Sequence, residues 1–215
     1  MNNANGRLVY DNAVRALYRA FPTAKVGQFK TTQSYIRLEQ TVAVGQTLYT
    51  FPLLTNQAAA NNTEERLNLQ DSFVTSQIGF YLAKPISATD STFRLNSQPS
   101  QFVFTNAAQY QNFYNGKLAI SVNNNTILPS WDLARHYYAA ETQQTAAFAA
   151  TSPIDQLKLD EDSMYAVEPN IVLVGSKNYQ ITVSIPTGLT AVDSAFTRIV
   201  LIFRGILAQN STVVS

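Results

Sequence analysis

Near the C-terminal end of the chain five apolar residues follow one another without a break, Ile199-Val200-Leu201-Ile202-Phe203. A strand that alternates apolar and polar residues needs cover on one face; a strand that is apolar throughout needs it on both. The run therefore predicts a central strand over Arg198 to Leu207, in a sheet with something packed on each side. Further strands precede it. Met164 to Val167, Ile171 to Val174 and Tyr179 to Ile185 are strand-like, with turns at Glu168-Pro169-Asn170, Gly175-Ser176 and Pro186-Thr187-Gly188. Ile36, Leu38 and Val42 alternate with Tyr35, Arg37, Glu39 and Thr41. With a turn at Gly45-Gln46 and a strand from Thr47 to Leu53, residues 31–53 read as a hairpin. Phe73 to Ala83 sets Ile78, Phe80 and Leu82 on one face and is closed by Lys84-Pro85. Thr92 to Leu95 and Gln101 to Thr105 are short strands. Leu118, Ile120 and Val122 lead through Asn123-Asn124-Asn125 to Thr126-Ile127-Leu128, a hairpin over 117–128 that Pro129 should end. Asparagine tolerates the left-handed backbone of a tight turn, which accounts for the triple Asn. These strands, about ten in all and without alternating helices, predict a mainly β chain folded as a jelly-roll-type antiparallel β-sandwich.

Two short helices are expected. Asp11 or Asn12 caps the first, in which Val14, Leu17, Tyr18 and Phe21 recur at i, i+3, i+4 and i+7 as one apolar stripe. Pro22 disfavours helix in the residue before it, so this helix should stop near Ala20. Too short to be stable alone, it must dock on its own body, on a neighbour or on a membrane surface. The second lies near 130–140, capped by Ser130 and running through Trp131, Arg135 and Tyr138, with part helix, part loop over 139–153. The chain divides into an N-terminal basic arm, 1–30, and a β-sandwich body, 31–215.

Charge also divides the chain, at residue 37. Through residue 37 the cations Arg7, Arg15, Arg19, Lys25, Lys30 and Arg37 face only Asp11, a net +5, whereas nine cations and thirteen carboxylates leave the remainder at −4. Charged residues make up only 13% of the chain, against roughly 25% in ordinary domains. Asn, Gln, Thr and Ser replace them, and neutral polar groups are less costly than ions to bury against another protein. The arm suits docking on neighbouring protein first, with Arg7, Arg15, Arg19, Lys25 and Lys30 as secondary genome or inner-surface contacts through phosphate counterion release. No stretch reaches the roughly 20 apolar residues of a membrane-spanning helix, and the Met1-Asn2-Asn3-Ala4-Asn5-Gly6 start is not a secretory signal, so the chain is expected to be made and used without export.

Groups that carry chemistry are sparse. With no cysteine and only His136 as a histidine, disulfides, thiol nucleophiles and zinc or copper sites are not expected. Asp132 lies four residues before His136, but no Gly-x-Ser-x-Gly accompanies them. His136 reads as a partly buried or interfacial residue beside Tyr137 and Tyr138. Asp160-Glu161-Asp162 lacks the spacing that wraps a calcium ion and reads as a solvated loop. Glu39, Glu141 and Glu168 are the remaining carboxylates considered for a glycosidase pair. No phosphate-cradling or dinucleotide glycine loop occurs. The stretch Gln109-Tyr110-Gln111-Asn112-Phe113-Tyr114-Asn115 has the polar and aromatic make-up of a recognition loop, and reads first as an inter-subunit loop or strand edge. No cofactor and no enzymatic activity are expected.

The Met1-Asn2-Asn3 lead, the arginine-bearing helix, the Asn/Gln/Thr-rich strands such as Thr32-Gln33-Ser34-Tyr35-Ile36, and the apolar strand ending Arg204-Gly205-Ile206-Leu207 together resemble bacteriophage virion proteins of the jelly-roll capsid kind. The resemblance implies a capsid subunit that self-assembles into an icosahedral phage shell. It would be made in the host cytoplasm, reside in the virion, and have itself, other virion proteins and non-specifically the genome as partners. A carbohydrate- or receptor-binding β-sandwich module, such as a head fibre or tail-associated protein, is the alternative. A hydrolase using His136 or paired carboxylates comes third.

Overall fold

The computed structural model describes residues 3–25, 27–57, 61–99, 103–138 and 163–214. Two antiparallel sheets face each other. The first holds β1 (Lys30–Thr41), β9 (Arg198–Gln209) and β3 (Ser72–Ala83), in that order. The far side of β3 is shared by β7 (Met164–Val174), along Ser72 to Gly79, and β4 (Leu95–Asn96), at Leu82 and Ala83. The second sheet runs β2 (Leu48–Phe51), β8 (Tyr179–Ser184), β5 (Lys117–Val122) and β6 (Asn125–Asp132). With the two-residue β4 set aside, the first of the eight principal strands pairs with the last, the second with the seventh, the third with the sixth and the fourth with the fifth. A long hairpin rolled across two sheets in this way is a jelly roll.

The predicted central strand lies between β1 and β3, paired along its length on both sides. Leu201 and Phe203 enter the space between the sheets with Ile36, Leu38, Phe73, Ile78, Phe80 and Leu82, where they meet Phe51, Leu118, Ile120, Ile181 and Val183 from the second sheet. The alternate residues point outward and are covered as well. Ile206 and Ala208 lie under α1 (Asn3–Ala20), and Val200 belongs to a patch with Tyr81, Ala83 and Met164 packed by Phe93 and Leu95. The central position and the double cover have one cause: this strand has no polar face to give to water.

The local pairings differ from expectation in several places. The segments predicted as a 31–53 hairpin are both strands, but β1 pairs with β9 and β2 with β8 in the opposite sheet. Gly45, at φ 72°, belongs to a crossing between sheets instead of a hairpin turn. The two strands expected on either side of Glu168-Pro169-Asn170 are halves of β7; that tripeptide bulges from the ladder where the register shifts between Thr75 and Gln77. Pro129 does not end its strand, because β6 is an edge strand and needs no N–H there. β6 therefore runs through Trp131, and the second helix shrinks to one 3-10 turn, Ala134–His136, opened by Asp132 accepting the Ala134 N–H. Of the predicted strands at Thr92 to Leu95 and Gln101 to Thr105, β4 alone appears among the described residues. The 117–128 hairpin stands as read: Val122 faces Asn125, and Asn123 and Asn124 turn the chain at φ 48° and 66°. The 139–153 segment lies outside the described residues.

Candidate assembly surface

The apolar stripe of α1 rests on the outer face of the first sheet. Leu17 and Ala13 are fully buried, meeting Phe29, Val74, Ile206 and Ala208; Val14, Tyr18 and Phe21 are partly buried around them. Phe29 holds the return of the chain into β1. Its ring centroid lies 5.5 Å from those of both Tyr18 and Phe21, and the Tyr18 hydroxyl accepts the Gly27 N–H at 2.8 Å. α1 begins at Asn3, eight residues before the expected cap, leaving Asp11 and Asn12 exposed within the helix. On the solvent side Arg15, Arg19, Lys25 and Lys30 are exposed, and among the described residues none forms an ion pair. The Arg7 side chain lies outside the described residues. The stripe is thus covered by the chain's own sheet, with a cationic row left outside.

The other end of the outer face carries a charge network that local sequence patterns do not reveal. The buried Arg198 guanidinium donates to Glu39 Oε2 at 2.8 Å and to the Ala88 carbonyl at 2.9 Å. Arg37 and the Thr63 hydroxyl donate to Glu39 Oε1 at 2.8 and 2.6 Å. Glu64 accepts from the Glu39 and Asn61 N–H groups and pairs with Arg66 at 2.9 Å. The Phe93 ring lies 5.3 Å from the Arg37 guanidinium and 5.6 Å from that of Arg198. These bonds hold the loops around 61–66 and 88–93 onto the sheet. They also occupy both oxygens of the Glu39 carboxylate with three donor side chains, Arg198, Arg37 and Thr63. Glu39 and Arg198 lie 159 positions apart in the chain, beyond the reach of any local pattern.

His136 is fully buried, with both ring nitrogens engaged. Trp131 Nε1–H donates to Nε2 at 2.8 Å, and Nδ1–H donates to the Ser163 carbonyl at 2.8 Å. Burial pushes its pKa down to about 4. With Nε2 filled, the ring has no lone pair to offer a substrate. Its contact with Ser163 ties the end of β6 to the start of β7.

The Gln109 to Asn115 stretch is helical instead of a loop or strand edge, and its aromatics face inward. It forms α2 (Ala107–Tyr110) and a 3-10 turn, Gln111–Phe113, that fill one end of the sandwich with Tyr110, Phe113 and Tyr114. Their i, i+3, i+4 spacing is a helical signal in the sequence. Asp193 knits this end: burial raises its pKa, but the N–H groups of Thr105 and Asn106 and the Lys84 ammonium outweigh that and hold it below the usual carboxylate range.

Glu168 is exposed on its bulge; Glu141 and Asp160-Glu161-Asp162 lie outside the described residues. Among the described residues no three His, Asp or Glu side chains converge on a metal position, and no helix is long and apolar enough to cross a membrane. A shallow notch at the tip of the second sheet is lined by Ser121, Asn123, Asn124, Asn178, Tyr179 and Gln180. Comparison with known protein families, characterised proteins and solved structures finds no match for this chain.

Proposed function

We propose that this chain is a structural subunit of a viral shell, in keeping with its resemblance to phage virion proteins, and that it works by contact with copies of itself. One observation carries the reading: among the described residues, a jelly roll whose interior is filled and whose buried Glu39, Arg198 and His136 all have hydrogen-bond partners, with a cationic helix laid across one sheet. Jelly rolls serve in capsids, lectins and small-molecule-binding enzymes, and the fold alone does not choose among them. A small-molecule site enclosed by the fold needs space between the sheets. Here Phe51, Phe73, Phe80, Phe104, Phe113 and Phe203 fill it, each at most 1% exposed. What remains for work is the outer surface. Its few charges and many neutral polar groups suit burial against other protein, and Arg15, Arg19, Lys25 and Lys30 suit a face turned toward nucleic acid.

Electron microscopy and light scattering of the purified protein test the proposal. Closed particles of uniform size are expected, with arm-dependent nucleic-acid retention that weakens as salt rises. A protein that remains monomeric or trimeric under all assembly conditions would sink it. The second reading, glycan or receptor binding, is favoured by the asparagine-lined notch. It ranks lower because the Tyr179 hydroxyl accepts the Val174 N–H and its ring is buried, leaving no exposed aromatic face there for a sugar. Glycan-array binding lost on Asn124→Ala would reverse the order.

A further inference from the structure

Each sheet of the sandwich ends in open edges, and an unguarded edge is a template for another strand. Three edges carry the usual safeguards. β6 contains Pro129 and two register shifts. β7 contains Pro169 and a bulge. β2 is four residues long. β1 differs: it pairs with β9 in unbroken register over all twelve residues, and between Lys30 and Arg37 it has no charge, no proline and no bulge. At Arg37 the edge is already taken, because Arg37 and Glu65 exchange backbone hydrogen bonds of 2.8 and 2.9 Å. Arg37 turns its N–H and C=O away from β9, so by alternation Thr31, Gln33 and Tyr35 do so too. Among the described residues no backbone partner meets them.

We infer that this edge, Lys30 to Ile36, receives the same edge of a second copy, antiparallel about a twofold axis through Gln33. The inference rests on the assembly reading above and names the surface it uses. Two features select a second copy. The free window of seven residues is centred on Gln33, which faces outward, so a twofold there pairs Gln33 with itself and Thr31 with Tyr35. With that axis Arg37, where the edge is blocked, falls opposite Phe29, just before the partner's strand begins. Finally, Tyr35 is 51% and Tyr10 44% exposed, and the Tyr10 hydroxyl lies 3.0 Å from Thr31 Oγ1. Pairing sets the second copy's Tyr35 beside Thr31 and next to Tyr10, covering both aromatics with a favourable aromatic–β-branched cross-strand pair. No like charges meet, and the two first sheets become one continuous sheet.

Charge swapping at the axis tests this. Gln33→Lys and Gln33→Glu each place like charges opposite one another without touching the β1–β9 hydrogen bonds. Sedimentation at equal concentration should show wild-type dimers, at least tenfold weaker association for each variant alone, and recovery in an equimolar mixture. Recovery requires that residue 33 face residue 33, which no other partner strand reproduces. In this cysteine-free chain Gln33→Cys should also oxidise to a single covalent dimer, since a hydrogen-bonded pair sets the Cα atoms about 5.5 Å apart, within disulfide reach. Unchanged melting temperatures confirm that the variants fold. Wild-type association unmoved by either charge, or a mixture that fails to recover, overturns the inference. If both charge variants still form particles with undiminished dimer contacts, the edge inference falls and the shell reading stands. If wild type forms β1-linked dimers but never particles, the shell reading falls and this one stands.

Discussion

The single histidine should impose a defined acid limit on the fold. In the native state His136 is neutral, with a pKa of about 4, whereas in the unfolded chain it titrates near 6.5. Between these values the unfolded state binds a proton that the native state refuses, so stability falls as pH drops. The contribution is complete above about pH 6.5, is lost progressively toward pH 4, and changes no further below it. A displacement of about 2.5 units corresponds to roughly 3 kcal/mol, a large part of the stability of an ordinary domain. The structural cause is specific. Protonated Nε2–H would point at Trp131 Nε1–H, two donors facing each other, and Phe80 and Tyr165 around the ring supply no charge to compensate. Of the neighbouring ionisable groups, Arg135 lowers the pKa and Asp132 raises it, so they largely oppose one another. Urea unfolding between pH 4 and 8 should show wild type losing about 3 kcal/mol more than His136→Gln across the window. One histidine gives one set of imidazole NMR resonances, so its titration can be followed directly. A native pKa of 6 or above, or parallel stability curves for the two proteins, refutes the argument.

Other perturbations test the packing. Leu17→Ala should cost about 2–5 kcal/mol, because the side chain is fully buried between α1 and β9, whereas exposed Arg15→Ala should stay within about 0.5 kcal/mol; chemical denaturation separates them. Glu39→Ala strands the buried Arg198 guanidinium and should cost about 3–5 kcal/mol, with hydrogen exchange rising first in the 61–66 and 88–93 loops that the network holds. Gly205→Ala should sharply lower the melting temperature, since a Cβ there would overlap the Val74 carbonyl on β3.

Strand existence was legible in the sequence because it depends on neighbours two residues apart. Ile78, Phe80 and Leu82 are buried on one face as their alternation requires, and the doubly covered run at 199–203 holds the central position. Pairing was less legible. β1 and β2 follow one another with a turn residue between them, yet each joins a strand more than 120 residues away, a choice set by how the whole chain rolls up. The 117–128 hairpin was readable because its pairing is local. In the candidate site, the α1 stripe was legible from its period but its docking surface was not, since Val74 and Ile206 come from two distant strands. Glu39 showed the same limit: on an alternating strand it looks like a solvated carboxylate, and only Arg198 makes it a buried anchor.

The order of the strands has a consequence for the nascent chain. β9, the last strand of the sandwich, is inserted between β1 and β3 and supplies Ile206 and Ala208 to the seat of α1. At about 5–20 residues per second, β1 waits roughly 10–30 s on the ribosome for the strand it pairs with. During that interval α1 has only part of its platform, and the seven-residue edge of β1 has no ladder behind it. An edge backed by a full ladder is therefore a property of chains in which β9 has been made. Truncated or stalled products lack it, so admission to an assembly would itself act as a check that translation reached the end of β9.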